Sequence, residues 1–121
     1  MRTSSDYRLG SLWLIRFDPS FGTEIRKTRP AVVISGTLFN RRSKVTVLPL
    51  TKVQPGNPRL LAVMVPVSPT ASNGLDSESF VICVEPMTFD KQRFVQHLGE
   101  LEKNQIQQMK SILTTFLDLG K

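Results

Sequence analysis

The segment RPAVVIS, residues 29–35, joins a charged loop to an almost unbroken apolar run. Pro30 has no backbone N–H, so a sheet tolerates it at the first position of a strand. A proline also disfavours helical geometry at the residue before it, which keeps Arg29 extended. The run therefore predicts a strand over residues 30–36 that is buried on both faces and carries Arg29 at its mouth.

Four further segments have the composition of strands, and stretches rich in turn-forming residues separate them. The strand-like segments are residues 11–18, 45–51, 59–67 and 79–89; the stretches between them include a polar loop at 19–28, a basic turn at 39–44 and a turn-rich connection at 68–78. Five short strands with turn signals between them predict a small, mostly antiparallel barrel or sheet.

The end of the chain has helical periodicity instead. Apolar residues recur at helical spacing over its last twenty positions: Ile106, Met109, Ile112, Leu113, Phe116 and Leu117. Gly120 is the predicted stop. We expect an amphipathic helix that packs on the sheet or on a partner, and hence an α+β fold. Residues 1–9 are predicted to form a flexible arm, and residues 10–121 a single domain.

Length and cysteine content bound the class of protein. A chain of 121 residues can bury a core without metal or disulfide staples. Cys83 is its only cysteine, so no internal disulfide can form, and a reducing, cytoplasmic location is expected. The sequence has no apolar stretch of membrane-spanning length and no signal-peptide pattern at its start, so neither a membrane span nor export is expected.

The net charge of +6 is unevenly distributed. Residues 1–59 carry 11 Lys and Arg against 3 Asp and Glu, whereas residues 60–121 carry 5 against 7. This asymmetry favours one surface that faces a polyanion, although solvated surface cations are the simpler alternative.

The residues present argue against most catalytic classes. His97 is the only histidine and stands 14 positions from Cys83, without a nucleophile signature around it. Neither ligand-spaced acidic residues nor a phosphate-cradling glycine motif occurs. We therefore predict a protein that uses neither a metal nor a cofactor.

Arginine and hydroxyl groups remain, and they can act on RNA. The 2′-OH of RNA is a nucleophile that the substrate itself carries, and a fixed guanidinium can stabilise the charged phosphorane. From composition alone, Arg29 is better explained as a loop arginine paired with Glu24.

Several ordered motifs resemble the MazF/PemK family of toxin endoribonucleases. They are GSLWLIRFDPSFGTEIRKTRPAVVIS (10–35), FN (39–40) and TVLPLT (46–51), followed by GLDSESFVICVEPMTFDKQRF and a matching C-terminal helix. The resemblance spans residues 10 to about 119 and implies an SH3-like barrel of the MazF/CcdB type with a C-terminal helix.

The resemblance also implies a site. In the MazF branch, the arginine of R-P and the threonine that closes the PLT strand form the catalytic pair, and these positions are Arg29 and Thr51. Glu24 matches a loop glutamate that could read base amino groups. The remaining implied substrate contacts are Thr23, Arg26, Lys27, Asn40, Arg41, Arg42 and Lys44.

This chain departs from the family pattern at two places. The Kid/PemK branch uses a loop histidine and an R-C-D stretch, where this chain has Thr23 and Ile82-Cys83-Val84. Where a D/E-Q pair and a basic residue are frequent, it has Glu85-Pro86-Met87.

The family's partners are implied with its site. They are single-stranded RNA, a second copy of the chain and an antitoxin whose disordered, acidic C-terminal segment blocks the groove. Two alternatives stay open: a CcdB-like gyrase poison that acts by binding, and a catalytically silent RNA-binding member. The gyrase alternative needs a tryptophan in a C-terminal tail, whereas the one tryptophan here is Trp13.

Overall fold

Seven strands form one antiparallel sheet in the computed structural model, which describes residues 6–17 and 28–120. Within these residues the strands are β1 (Ser11–Arg16), β2 (Thr28–Val33), β3 (Lys44–Thr51), β4 (Met64–Val67), β5 (Ser79–Ile82), β6 (Met87–Asp90) and β7 (Phe94–Glu100). Two α-helices, α1 (Pro58–Leu61) and α2 (Lys103–Phe116), and two 3-10 helices, Thr37–Arg41 and Lys91–Arg93, complete the elements. The strand order is β4-β5-β3-β2-β1-β7, and β6 pairs with β3. The predicted α+β class is confirmed.

Three elements differ from the sequence prediction. The predicted strand 59–67 begins as helix α1, because Pro58 occupies a first-turn position and the Asn57 side chain accepts a hydrogen bond from the Arg59 N–H at 2.9 Å. The predicted strand 79–89 is two strands, β5 and β6, separated by a turn at Cys83 and Val84, and Pro86 directly precedes β6. Strand β7 was missed altogether.

Strands β2 and β3 are buried on both faces, as predicted for β2. Alternate residues of β2 contribute to two separate cores: Val32 packs in one, whereas Ala31 and Val33 pack in the other. All three side chains are completely buried. Burial of a valine side chain stabilises a fold by about 1.5–3 kcal/mol, so these strands are held in one register from both sides.

Helix α2 packs on the sheet, which is one of the two arrangements that the sequence predicted. Met109 is fully buried, and Ile106, Ile112 and Leu113 pack against the same core as Val32. The helix ends at Phe116, before the predicted stop at Gly120, and Asp118 then adopts left-handed geometry at φ 57°. No helix within the described ranges is long and apolar enough to cross a membrane.

The prediction of a flexible arm over residues 1–9 is wrong for residues 6–9. Tyr7 is only 3% exposed and stacks on Trp13, with ring centroids 4.6 Å apart and an interplanar angle of 4°. Phe94 meets both rings edge-on. The segment thus forms part of the core. Burial of the aromatic ring of Tyr7 stabilises the fold by more free energy than ordering of the backbone costs. Residues 1–5 lie outside the described part of the chain.

Candidate active site

The pairing of β2 with β3 brings Arg29 and Thr51 together at one end of the sheet. The last pair of this ladder is Ala31 opposite Pro49, and Arg29 and Thr51 lie two residues beyond it on their own strands. Both side chains line one cleft at this end of the sheet, so one ligand can contact both.

Both residues line an open cleft of about 410 Å³. The other lining residues are Leu14, Thr28, Pro30, Leu50, Lys52 and Asp76. The apolar lining residues are buried or half-buried, whereas the charged side chains of Arg29, Lys52 and Asp76 are exposed and form what we call the rim. Two cations and one carboxylate leave the rim with a net positive charge, which suits an anionic ligand.

Arg29 is fixed at its backbone and exposed at its side chain. It pairs with Ile15 of β1, and Pro30 immediately follows it. Its guanidinium has no hydrogen bond or ion pair with any other described residue. Glu24, the alternative partner, lies outside the described residues. A guanidinium on a rigid strand can bind a phosphate through two parallel hydrogen bonds with little loss of freedom.

Thr51 is half-buried at the end of β3, and its hydroxyl caps the turn that follows. Its Oγ1 accepts a hydrogen bond from the Val53 N–H at 3.2 Å. This contact uses a lone pair of the oxygen, so the O–H remains available to donate. Turn capping and ligand binding are thus compatible roles for one hydroxyl.

Sequence reasoning missed two rim residues, Lys52 and Asp76. Lys52 Nζ lies 3.4 Å from Asp76 Oδ1, and both side chains are largely exposed. Lys52 directly follows Thr51, so its position at the end of the predicted strand could have identified it as a site residue. Asp76 reaches the cleft through the pairing of Thr51 with Phe80 in β3 and β5, which no local pattern predicts.

The Asp76 carboxylate is held in its charged form. A hydrogen bond from Ser77 and the charge of Lys52 lower the pKa of Asp76 below its ordinary value. The group is therefore a pure hydrogen-bond acceptor at neutral pH.

The structure does not support the predicted contact between Asn40 and RNA. The Asn40 side chain is fully buried. Its Nδ2 donates to the carbonyl oxygens of Tyr7 at 2.6 Å and Ser35 at 3.0 Å, and its Oδ1 accepts from the Ser35 hydroxyl at 2.5 Å. Asn40 ties the N-terminal segment to the β2–β3 connection, and its role is structural.

Arg41, Arg42 and Lys44 are exposed, but they lie away from the Arg29–Thr51 cleft. They belong to the connection between β2 and β3 and to the first residue of β3, whereas Thr51 is its last. Seven residues of an extended strand span about 24 Å. The structure therefore does not bring these cations to the cleft.

The loop that joins β1 to β2 holds the other predicted contacts. Thr23, Glu24, Arg26 and Lys27 lie outside the described residues, so their contacts with substrate stay predictions.

The segment Ile82-Cys83-Val84 carries no polar group into the cleft. Cys83 is fully buried, and burial raises the pKa of its thiol to about 11, which keeps it neutral and unreactive. No group of three or more His, Cys, Asp or Glu side chains lies together within residues 6–17 and 28–120.

The chain is thus a small α+β domain with an antiparallel sheet, a C-terminal helix and a cleft whose lining carries two cations and one carboxylate. Comparison with known proteins identifies the family. The family model described as "PemK-like, MazF-like toxin of type II toxin-antitoxin system" matches residues 8–117, nearly the whole chain. The chain belongs to this family of toxins.

Two curated relatives are similar along most of their length. Endoribonuclease PemK of Escherichia coli is 29% identical over 120 residues, which cover 97% of this chain and 86% of the relative. Endoribonuclease MazF9 of Mycobacterium tuberculosis is 27% identical, with 93% and 97% covered.

Solved structures have the same fold. The Mycobacterium tuberculosis toxin MazF-mt6 superimposes with a TM-score of 0.72 at 25% identity, covering 92% of this chain and 99% of that one. A MazE–MazF structure from Deinococcus radiodurans has a TM-score of 0.74 at 23% identity, covering 93% of this chain and 96% of that one.

Replacement of Asn40 tests its structural role. We expect Asn40→Ala to lower the free energy of unfolding by about 2 kcal/mol, because buried carbonyls of Tyr7 and Ser35 lose their donor. The exposed neighbour Arg42 is the control, and Arg42→Ala should change stability by less than about 0.5 kcal/mol. Urea denaturation of both variants measures the difference. Equal stability of the two variants would contradict the structural role.

Proposed function

We infer that this toxin is an endoribonuclease that cleaves single-stranded RNA without a metal, through Arg29 and Thr51. The observation that carries this inference is the placement of the two side chains in one cationic cleft, just beyond the last pair of the β2–β3 ladder. Membership of the PemK-like, MazF-like toxin family supports it, as do the endoribonuclease relatives.

The proposed reaction uses the RNA's own 2′-OH. The 2′-OH gives up its proton to solvent water as its oxygen forms a bond to the adjacent phosphorus. The bond from phosphorus to the 5′-oxygen breaks, and that leaving oxygen takes up a proton from water, so that no net proton is gained or lost. The products are a 2′,3′-cyclic phosphate and a 5′-OH. The residues of the cleft need only orient the phosphate and stabilise the negative charge that develops.

Arg29 is assigned the role of stabilising the phosphorane through two guanidinium hydrogen bonds. It is not assigned the role of proton acceptor, because a guanidinium stays protonated in proteins and offers donors but no acceptor. Thr51 donates its O–H to a non-bridging oxygen while the Val53 N–H holds its oxygen in place.

The loop before β2 is proposed to lie over the bound RNA. Glu24 would accept hydrogen bonds from base amino groups, with Thr23, Arg26 and Lys27 as further contacts. Since RNA is the substrate, the proposed site of action is the cytoplasm.

Loss of the guanidinium should abolish cleavage. We expect Arg29→Ala to lower the cleavage rate by about 10³-fold or more, because oriented donors at a developing oxyanion supply effects of this size. The measurement incubates the purified protein with a long RNA of mixed sequence in EDTA and then sequences the fragment ends. The wild type should give discrete cuts that share a short motif.

Arg59 is a suitable control, since it is an exposed arginine on α1 that does not line the cleft. Arg59→Ala should retain the wild-type rate and the same cuts. Full activity of Arg29→Ala would refute the assigned mechanism. Intact RNA after incubation with the wild type would refute the proposed activity and favour an RNA-binding member or a gyrase poison.

The distant cations are proposed to bind phosphates outside the cut motif. We expect the double change Arg41→Ala/Arg42→Ala to weaken binding of a long RNA and to lower the slope of log affinity against log salt by about 1.4, as for two lost phosphate contacts. Cleavage of a short RNA that spans only the cut motif should be unchanged. The matched control is Lys103→Ala/Lys110→Ala on α2. Equal losses on short and long RNA would place these arginines at the cleft instead.

The proposed assembly is a homodimer, and an exposed apolar surface at the end of α2 is its proposed interface. Phe116, Leu117 and Leu60 are each nearly half exposed. Beside them a shallow groove of about 280 Å³ is lined by Ala62, Val63, Val84, Ser111, Ile112, Thr115 and Phe116. Apolar surfaces of this kind favour self-association about a twofold axis.

A charge in this surface should separate the subunits. We expect Phe116→Glu to convert the dimer to a monomer at micromolar concentration, because the interface would have to desolvate a carboxylate. Leu38→Glu is the control, since Leu38 is 80% exposed on the 3-10 helix Thr37–Arg41. Light scattering after size exclusion gives the masses. A monomer formed only by Leu38→Glu would move the interface to that helix.

The proposed inhibitor is an antitoxin with a disordered, acidic C-terminal segment. A Mycobacterial endoribonuclease of the same fold has been solved with its cognate antitoxin, at a TM-score of 0.72 and 20% identity. In this chain, the cationic rim of Arg29 and Lys52 is the complementary surface for acidic side chains that fold on binding.

The gyrase-poison alternative gains no support from the fold. Trp13 is 1% exposed and stacks on Tyr7, so it presents no indole surface to a partner.

A further inference from the structure

We propose that Asp76 determines specificity, by accepting a hydrogen bond from the base next to the cut phosphodiester. The carboxylate would favour a base with an exocyclic amino group over uracil. This inference rests on the proposed ribonuclease function and concerns a residue that belongs to the turn-rich connection between β4 and β5.

The connection that carries Asp76 is internally braced. Asn73 is only 3% exposed, and its Oδ1 accepts from the N–H groups of Thr70 at 3.0 Å and Leu75 at 2.9 Å. Its Nδ2 donates to the Ser68 carbonyl at 2.8 Å. Side-chain bonds of this type replace the backbone ladder that a loop lacks, so the loop has one preferred conformation.

The backbone of strand β7 contacts the same loop and restrains it. The Glu100 N–H donates to the Ser72 carbonyl at 3.0 Å. Gly99 lies so close to Ser72 and Asn73 that any Cβ at this position would overlap their backbone. Gly74 has φ +69° and lies equally close to the Leu98 carbonyl. The loop and β7 are therefore in backbone contact, and Asp76 projects from a fixed base.

The described neighbours of the Asp76 carboxylate engage one of its two oxygens. Oδ1 accepts from the Ser77 hydroxyl at 2.9 Å and faces Lys52 Nζ at 3.4 Å. Oδ2 has no partner in any other described residue. The carboxylate lines the same cleft as Arg29 and Thr51.

The opposite charges of Arg29 and Asp76 favour different ligand groups at the two positions. A phosphate is attracted to the Arg29 side and repelled by the carboxylate, so the Asp76 side suits an uncharged donor. The amino groups of adenine, cytosine and guanine are such donors, whereas uracil presents two carbonyl oxygens beside its single N–H.

The direction of the Asp76 pKa favours hydrogen-bond acceptance over proton transfer. Ser77 and Lys52 lower this pKa, and a carboxylate stabilised in its charged form is a weak base for the 2′-OH. Asp76 is therefore assigned to base recognition and not to general-base catalysis.

The experiment compares cut motifs. Wild type, Asp76→Asn, Glu78→Gln and Arg29→Ala are each incubated with an RNA library of random sequence, and the relative rate at every motif is obtained from sequenced ends. Asn presents both a donor and an acceptor, so Asp76→Asn should reduce the preference for an amino-bearing base by about tenfold. Glu78 lies on the same loop, bonded to Ser68 at 2.7 Å and away from the cleft, so Glu78→Gln should keep the wild-type motif.

Unchanged relative rates in Asp76→Asn would overturn the assignment. An equal loss of rate at every motif would overturn it too, since that result indicates a role in the reaction and not in recognition. The Arg29→Ala sample separates this question from the proposed function. Cleavage by the wild type that is lost in Arg29→Ala establishes the site whatever the Asp76 variant does. Absence of wild-type cleavage overturns both inferences.

Discussion

The antiparallel pairing of β2 with β3 is the constraint on which the rest of the molecule depends. Both faces of these strands are buried, so a slip of one residue would move Val32 into the opposite core and Ala31 and Val33 out of theirs. The register is therefore fixed by packing at residues 31–33 of β2. The same two strands carry Arg29 and Thr51 to one end of the sheet, two residues beyond their last pair. The geometry of the cleft is thus a consequence of core packing several residues away.

The features that were predictable from sequence are those with a local cause. The apolar run after Pro30 identified the buried strand, although β2 spans Thr28–Val33 and not the predicted 30–36, and helical periodicity identified α2. The Arg29–Thr51 pair followed from ordered motifs that a family resemblance supplied. Strand β7 was missed because Val95, Gln96 and His97 are all exposed, and such an edge strand has no apolar alternation to reveal it.

The features that sequence reasoning missed or misassigned have distant causes. Asn40 stands in a basic turn and resembles a surface residue. Its side chain is buried, however, and donates a hydrogen bond to the carbonyl of Tyr7, 33 positions earlier. Asp76 reaches the cleft only because β5 pairs with the end of β3. No periodicity or motif encodes either contact, since each depends on which segments become neighbours in the folded chain.

The bracing of the loop 68–78 by Asn73, Gly74 and Gly99 has a consequence for how such a protein can diverge. These three residues maintain the loop's shape, whereas the Asp76 side chain is 85% exposed, and its polar contacts among the described residues are with Ser77 and Lys52. Shape and chemistry are thus encoded at separate positions. A substitution at position 76 leaves the scaffold and the Arg29–Thr51 pair intact, so a lineage can sample new ligand preferences there at little risk to folding.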